Sequence, residues 1–203
     1  AGRTELVRAI AGVDPIKSGS IAIDGQPVHF KGPSDAIKAG VVLVPEDRKA
    51  QGIVLDHPVA FNLALGNFDL LAPDGWLLPA KISSFARSAI KRLMVKGEAN
   101  QLIRFLSGGN QQKAVIARWI SRSPKVFILD EPTRGIDMGA RAEIYKTIAA
   151  LAQEGMAVVV VSSDLEEVLG LSHRVLVLAR GMQQGILQHG EATNVKIMEL
   201  ATA

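Results

Sequence analysis

Three short runs of branched aliphatic residues constrain the fold most: residues 126–129 (VFIL), 158–161 (VVVV) and 175–178 (VLVL). Each is too short for an ordinary helix, and each is separated from the next by a stretch of helical periodicity, residues 140–153 and 165–169. Near-continuous apolar strands alternating with helices read as parallel strands buried on both faces and joined by right-handed crossovers. The predicted class is therefore α/β, a mainly parallel sheet covered by helices. Aromatic residues make up only 4% of the 203-residue chain, so such a core has to be built from Val, Ile, Leu and Ala. Residues 182–187 read as an edge strand and 195–200 as a last helix.

Upstream, residues 4–11 carry Leu6, Val7 and Ile10 at helical spacing and stop at Gly12, and residues 20–25 (SIAIDG) alternate as a short strand ending in a turn. A helix opens after Gly32-Pro33 and runs to about Gly40. Residues 40–46 (GVVLVPE) form a buried strand that breaks at Pro45 and leads into a polar loop, EDRKAQG. The middle third is all helical. A short segment covers 61–66, and a longer one, 81–96, gathers Ile82, Phe85, Ala86, Ala89, Ile90, Leu93 and Met94 on one face. A third runs from 109 to 122 and stops before Pro124.

Composition removes several functional classes. No stretch approaches the roughly 20 apolar residues a membrane span needs, so any membrane role is peripheral. There are no cysteines, which excludes disulfides and thiolate metal sites, and the formal charge of +3 is not gathered into a run that would suit nucleic acid. The four histidines, His29, His57, His173 and His189, read as ordinary surface or turn residues.

Two strings carry chemistry. In VFILDEPTRGID, residues 126–137, the strand delivers Asp130 and Glu131 at its C-terminal end, where open α/β sheets bind ligands. Asp130 is placed to hold Mg²⁺ through water, and Glu131 to polarise a water for attack on a terminal phosphate; a solvated acidic turn is the plainer reading of that string alone. In LSGGNQQK, residues 106–113, Ser107 is a helix N-cap candidate, and Gly108 and Gly109 let a phosphate approach the amides of the next helix.

LSGGNQQ one helix before the acidic strand resembles the signature pair of ATP-binding cassette (ABC) ATPases, which implies a P-loop NTPase core with an inserted all-helical subdomain. The start AGRTE, with VPEDRK, LSGGNQQK, LDEPTRGID and SSDLEEVLGLSHRVLVL, is similar to the C-terminal cassette of two-cassette importers of ribose-type monosaccharides. The implied division is 1–56 for the first part of the ATPase core, cut inside the phosphate loop, 57–122 for the helical subdomain, and 123–203 for the rest of the core. The chain is then expected to be a piece of a longer polypeptide.

By this resemblance ATP and Mg²⁺ are the cofactors. Gly2, Arg3 and Thr4 end the phosphate loop, with Arg3 where Lys is usual and Thr4 beside the metal; a plain helix start reads the same five residues. Glu46 stands where the family has a sensing Gln, and Ser163 where it has a His. Ser107, Gly108, Gly109 and Gln111 are expected to serve the nucleotide of a partner cassette. The chain's own site, with Lys, Gln and His all replaced, is expected to bind nucleotide and turn it over poorly. The implied partners are that second cassette, two membrane permease subunits near residues 46–65, and indirectly a periplasmic sugar-binding protein, at the cytoplasmic face of the bacterial inner membrane. Two rivals stand beside this reading, an ABC ATPase acting on ribosomes or DNA and a non-catalytic nucleotide-sensing domain.

Overall fold

The computed structural model describes residues 2–202; Ala1, the first residue of the AGRTE string, lies outside them. The first helix, α1 (Arg3–Ile10), begins after Gly2 at φ 95°. A Cβ at Gly2 would stand 3.0 Å from Cα of Gly181, so conformation and space both demand glycine there. The strand expected at 20–25 is the first half of a hairpin, β1 (Ile21–Ile23) and β2 (Gln26–Val28), turned by Asp24-Gly25 at φ 52° and 76°. Two consecutive left-handed residues match the right-handed twist of the paired strands. Strand β2 was not legible, because its three residues, QPV, contain a proline and show no apolar run. Helix α2 (Pro33–Lys38) starts on a proline, which needs no hydrogen-bond partner there, and β3 (Val41–Val44) ends before Pro45.

The polar loop after β3 is more ordered than expected. Asp47 accepts from the amides of Lys49 and Ala50 and caps one π-helical turn, Arg48–Gly52. Helices α3 (Val59–Ala64), α4 (Phe68–Leu71), α5 (Pro79–Arg92) and α6 (Gly108–Ile120) follow. Helix α5 stops short of the expected Lys96. Met94 turns to φ 49°, and the Lys96 amide then donates to Asn110 Oδ1 at 2.7 Å, so a side chain from α6 replaces the next helical turn.

The last third is β4 (Val126–Asp130), α7 (Met138–Gln153), β5 (Ala157–Val161), α8 (Leu165–Leu171), β6 (Arg174–Ala179), β7 (Met182–Gln188) and α9 (Asn194–Thr202). A three-stranded sheet has the order β3-β4-β5, with β4 and β5 parallel and Asp130 opposite Val161. Strand β6 departs from the expectation of a third parallel member: it pairs antiparallel with β7 in its own two-stranded sheet. The cause is local, since Arg180 and Gly181, at φ 52° and 77°, form a two-residue turn that folds the chain straight back.

The chain divides into two compact units. The first holds the chain up to Leu43, Val126–Glu131 and the chain from Ala157. Its core is Val7, Ala36, Val41 and Ile128, with Ile10, Phe30 and Val161 packed around them. A second cluster, Val175, Val177 and Ile197, lies under α8 and α9. The other unit, Val44–Lys125 with Pro132–Met156, is mainly helical. Leu63, Ala86, Ile116 and Ile120 are fully or almost fully buried where α3, α5 and α6 meet. Buried Lys113 on α6 pairs with Glu143 on α7 at 2.5 Å. Arg118 is also buried and has no carboxylate partner among the described residues; Nε donates to the Asn62 carbonyl at 2.7 Å, and burial lowers its pKa to about 10.

Candidate functional site

In the first unit, strand pairing assembles the acidic pair. The parallel register sets Asp130 beside Val161, and the Glu131 amide donates to the Val161 carbonyl at 2.8 Å. The chain after Val161 therefore runs past the acidic pair, bringing Ser162 and Ser163 with it. That segment is fixed locally: Ser162 Oγ accepts from the Asp164 amide at 2.9 Å, and the Asp164 carboxylate caps α8 through the amides of Glu166 and Glu167. Glu131 itself sits at φ 47°, a left-handed conformation that costs a non-glycine residue about 1–2 kcal/mol and turns its side chain back toward α1.

Thr4, Asp130, Arg3, Glu131 and Ser163 meet here. Asp130 is buried, at 2% exposure, and its Oδ1 has no hydrogen-bond partner among the described residues. Burial pushes its carboxyl above the ordinary value; the Thr4 hydroxyl opposes that rise, and neighbouring Glu131 adds to it. Glu131 is occupied on both oxygens. Ser163 Oγ donates to Oε2 at 3.1 Å, and Arg3 Nη2 lies 4.0 Å from Oε1 while Arg3 Nη1 donates to the Ser162 carbonyl at 2.7 Å.

This donor set fits Mg²⁺. A hydroxyl and a buried carboxylate with an unused oxygen are hard ligands, and Mg²⁺ takes few protein ligands while keeping waters and phosphate oxygens. No cluster of three or more His, Cys, Asp or Glu occurs among the described residues. No side chain caps the start of α1, which leaves its amides open to an anion beside Gly2.

In the second unit, Ser107 caps α6: Oγ accepts from the Asn110 amide at 3.4 Å and from Asn110 Nδ2 at 2.9 Å. Gly108 and Gly109 form the first turn; a side chain at Gly108 would have to displace the Arg48 guanidinium, and at Gly109 there is no room for one. A Cβ on Gly108 would lie 2.8 Å from Arg48 Nη2, and one on Gly109 would lie 2.4 Å from Ala140 Cβ. Gln111 is buried and turned inward, its Nε2 donating to the carbonyls of Ile103 and Leu106 at 3.2 Å each. It shapes the loop leading into Ser107. Glu46 is ion-paired with Arg134, and Arg48 donates to the carbonyls of Arg134 at 2.9 Å and Gly135 at 3.4 Å.

All four histidines are exposed; His57 stacks on Phe61 at 4.3 Å, and His189 Nδ1 lies 3.0 Å from the Ser172 carbonyl. Sequence reasoning missed Arg48, Arg134 and the Ser162 carbonyl. PEDRK was in view as a string, yet Arg48's partners are backbone carbonyls 86 and 87 residues away, which leave no side-chain signal.

The profile of the ABC transporter family matches residues 1–134. The chain is 49% identical over 203 residues to the ribose import ATP-binding protein RbsA of Bacillus licheniformis, covering 100% of this chain and 41% of the relative. It is also 49% identical over 208 residues to the arabinose import ATP-binding protein AraG of Pseudomonas syringae pv. tomato, covering 99% of this chain and 40% of that protein. The chain thus spans about two fifths of the length of these relatives. Among solved structures, a nucleotide-free ATP-binding cassette from an ABC transporter superposes with TM-score 0.83 at 20% identity, covering 98% of this chain and 83% of that one. The cbiO1 protein of Clostridium perfringens, part of the ABC transporter complex cbiONQ, gives 0.77 at 24% identity, covering 97% and 76%. At these identities the superpositions speak for the fold, an ABC ATPase.

Proposed function

We propose a role for this chain within the family to which it belongs, the ABC transporters: it is one cassette of a longer importer ATPase that drives a ribose-like monosaccharide across the bacterial cytoplasmic membrane. The observation that carries this is the meeting of Thr4, an under-bonded Asp130 and Glu131 in a chain that also holds a glycine-rich LSGG helix start capped by Ser107. The names of the relatives, ribose and arabinose import ATP-binding proteins, support the substrate class.

The two ends of the chain's chemistry differ. Bound Mg-ATP supplies the reacting phosphate and the neutralisation of its charge. Thr4 and Asp130 hold the cation side, and Gly2 with the open start of α1 holds phosphate. Arg3 is a wide planar fork where a compact ammonium is usual, and it is already engaged by Ser162 and Glu131. Glu131, the residue able to polarise a water, is tied to Ser163 and Arg3, and Glu46 and Ser163 replace the sensing Gln and His. This site therefore binds nucleotide and turns over slowly.

Ser107, Gly108 and Gly109 serve the nucleotide of a second cassette, probed by amides at the positive end of α6, with Gln111 setting the loop from below. Residues 57–122 act as the helical subdomain, between core segments 1–56 and 123–203. Two permease subunits bind near residues 46–65 and a periplasmic sugar-binding protein acts through them. No helix among the described residues is long and apolar enough to cross a membrane, which agrees with a peripheral place on the cytoplasmic face.

Steady-state ATPase of the full-length polypeptide, reconstituted with its membrane subunits, tests this. Ser107→Arg is expected to abolish turnover while Glu131→Gln leaves most of it. Equal damage by Glu131→Gln overturns the division of labour. The contacts that occupy Glu131 also favour a second reading, a nucleotide-sensing domain, for which neither substitution changes turnover.

A further inference from the structure

Arg48 has a half-buried guanidinium with no carboxylate partner among the described residues. Burial lowers its pKa, against the opposing charge of Asp47; the Asp47 carboxylate accepts from the amides of Lys49 and Ala50, and Glu46 is paired with Arg134. What the guanidinium holds instead is backbone: Nη1 donates to the Arg134 carbonyl at 2.9 Å and Nη2 to the Gly135 carbonyl at 3.4 Å. Its other face covers Gly108, where any Cβ would come within 2.8 Å of Nη2 and 3.3 Å of the Gly135 carbonyl. The stem is fixed in turn, because the Asp47 carboxylate caps the π-helical turn that carries Arg48. One cation thus touches three segments: the turn after β3, the start of α6, and the loop before α7.

We propose that Arg48 is a positioning residue for ATP turnover, a yoke that keeps the Ser107-Gly108 turn and the Arg134-Gly135 loop in one register. A shift of the turn after β3 then moves both together. This rests on the reading that Ser107 to Gly109 serve a nucleotide. The fork geometry is essential: two carbonyls at fixed spacing accept from two nitrogens of one plane, whereas an ammonium is a single point donor. Gly108 is glycine here because the yoke occupies the space of a side chain.

The test uses the full-length polypeptide reconstituted with its membrane subunits and compares Arg48→Lys, Arg48→Ala, Gly108→Ala and the double variant Arg48→Ala/Gly108→Ala. Arg48→Lys is expected to lower kcat about tenfold or more, since misplacement of phosphate-binding groups by about 1 Å has effects of that order, with KM for ATP and the thermal midpoint unchanged. Gly108→Ala is expected to lose kcat similarly, and the double variant to be no worse than Arg48→Ala, because removing the guanidinium makes room for the methyl group. Wild-type kcat in Arg48→Lys overturns the proposal, as does additive loss in the double variant. Ser107→Arg run alongside separates the two readings: if it leaves turnover intact, the signature assignment has failed; if it abolishes turnover while Arg48→Lys does not, only the yoke has.

Discussion

Gly109→Ala separates two reasons for a glycine at the start of α6. The sequence suggests access for a phosphate; the structure adds that a Cβ there would lie 2.4 Å from Ala140 Cβ and 3.5 Å from Ile136 Cγ2. Non-bonded carbons rest at about 3.5–4.0 Å, so α6 and α7 would have to part by about 1 Å. Ala140 cannot give way freely, because its amide donates to the Asp137 side chain that caps α7, at 3.0 Å. Overpacking of this kind costs about 1–3 kcal/mol. Replacing a helical glycine returns about 1 kcal/mol in propensity, so the net loss is about 0–2 kcal/mol, or up to about 8 °C in thermal midpoint for a chain of this size. Thermal unfolding of Gly109→Ala, Ala140→Gly and the double variant gives the check. Ala140→Gly costs about 1 kcal/mol alone through propensity but relieves the clash in the double variant. The two effects should then fall short of additivity by about 1 kcal/mol or more. Additivity to within about 0.5 kcal/mol would refute the steric argument and leave phosphate access as the reason for Gly109.

Two further outcomes follow from the charged groups. Asp130 has its carboxyl raised above the ordinary value chiefly by burial, so its contribution to stability is present at acid pH and lost as the pH rises through its folded value. Asp130→Asn should therefore raise the midpoint of the nucleotide-free polypeptide at neutral pH, by about 1 kcal/mol, and remove the Mg²⁺ dependence of nucleotide binding; a lower midpoint would count against the buried-carboxylate account. Asp69 is the opposite case, held down to about 2 by its hydrogen bonds from Arg122. Its stabilisation is complete above the ordinary carboxylate range and is lost as the pH falls toward that value. Full linkage would be about 2.4 kcal/mol, but the Asp69 side chain is 60% exposed, and solvent screening reduces this to about 0.5–1 kcal/mol. Asp69→Asn should lower the midpoint by that amount at neutral pH, with the gap closing as the pH is lowered; a gap independent of pH would point to packing instead.

Much of the fold was legible because its signals are local. The runs at β3, β4 and β5 announced strands, of which β3 and β4 are buried while β5, expected to be buried on both faces, is part-exposed at the end of its sheet; the stop at Gly12, the proline that starts α2 and the Ser107 cap each act within a turn of the residue that carries them. Helix α5 ended early, and β6 turned into a hairpin, where Met94, Arg180 and Gly181 adopt left-handed conformations that apolar periodicity does not register. At the candidate site, the acidic pair and Arg3, Glu46 and Ser163 were visible as residue types.

The sequence by itself determined which groups are present: a hydroxyl, two carboxylates, a glycine-rich helix start, and the arginines Arg3 and Arg48. Only the tertiary structure decided what each group faces. The parallel register of β4 and β5 brings Ser163 to Glu131, Arg3 reaches a carbonyl 159 residues away, and Arg48 binds two carbonyls across 86 and 87 residues. The physical reason is that a backbone carbonyl is the same acceptor at every position. A cation's choice among them is written in chain geometry, and no residue type marks the one it will take.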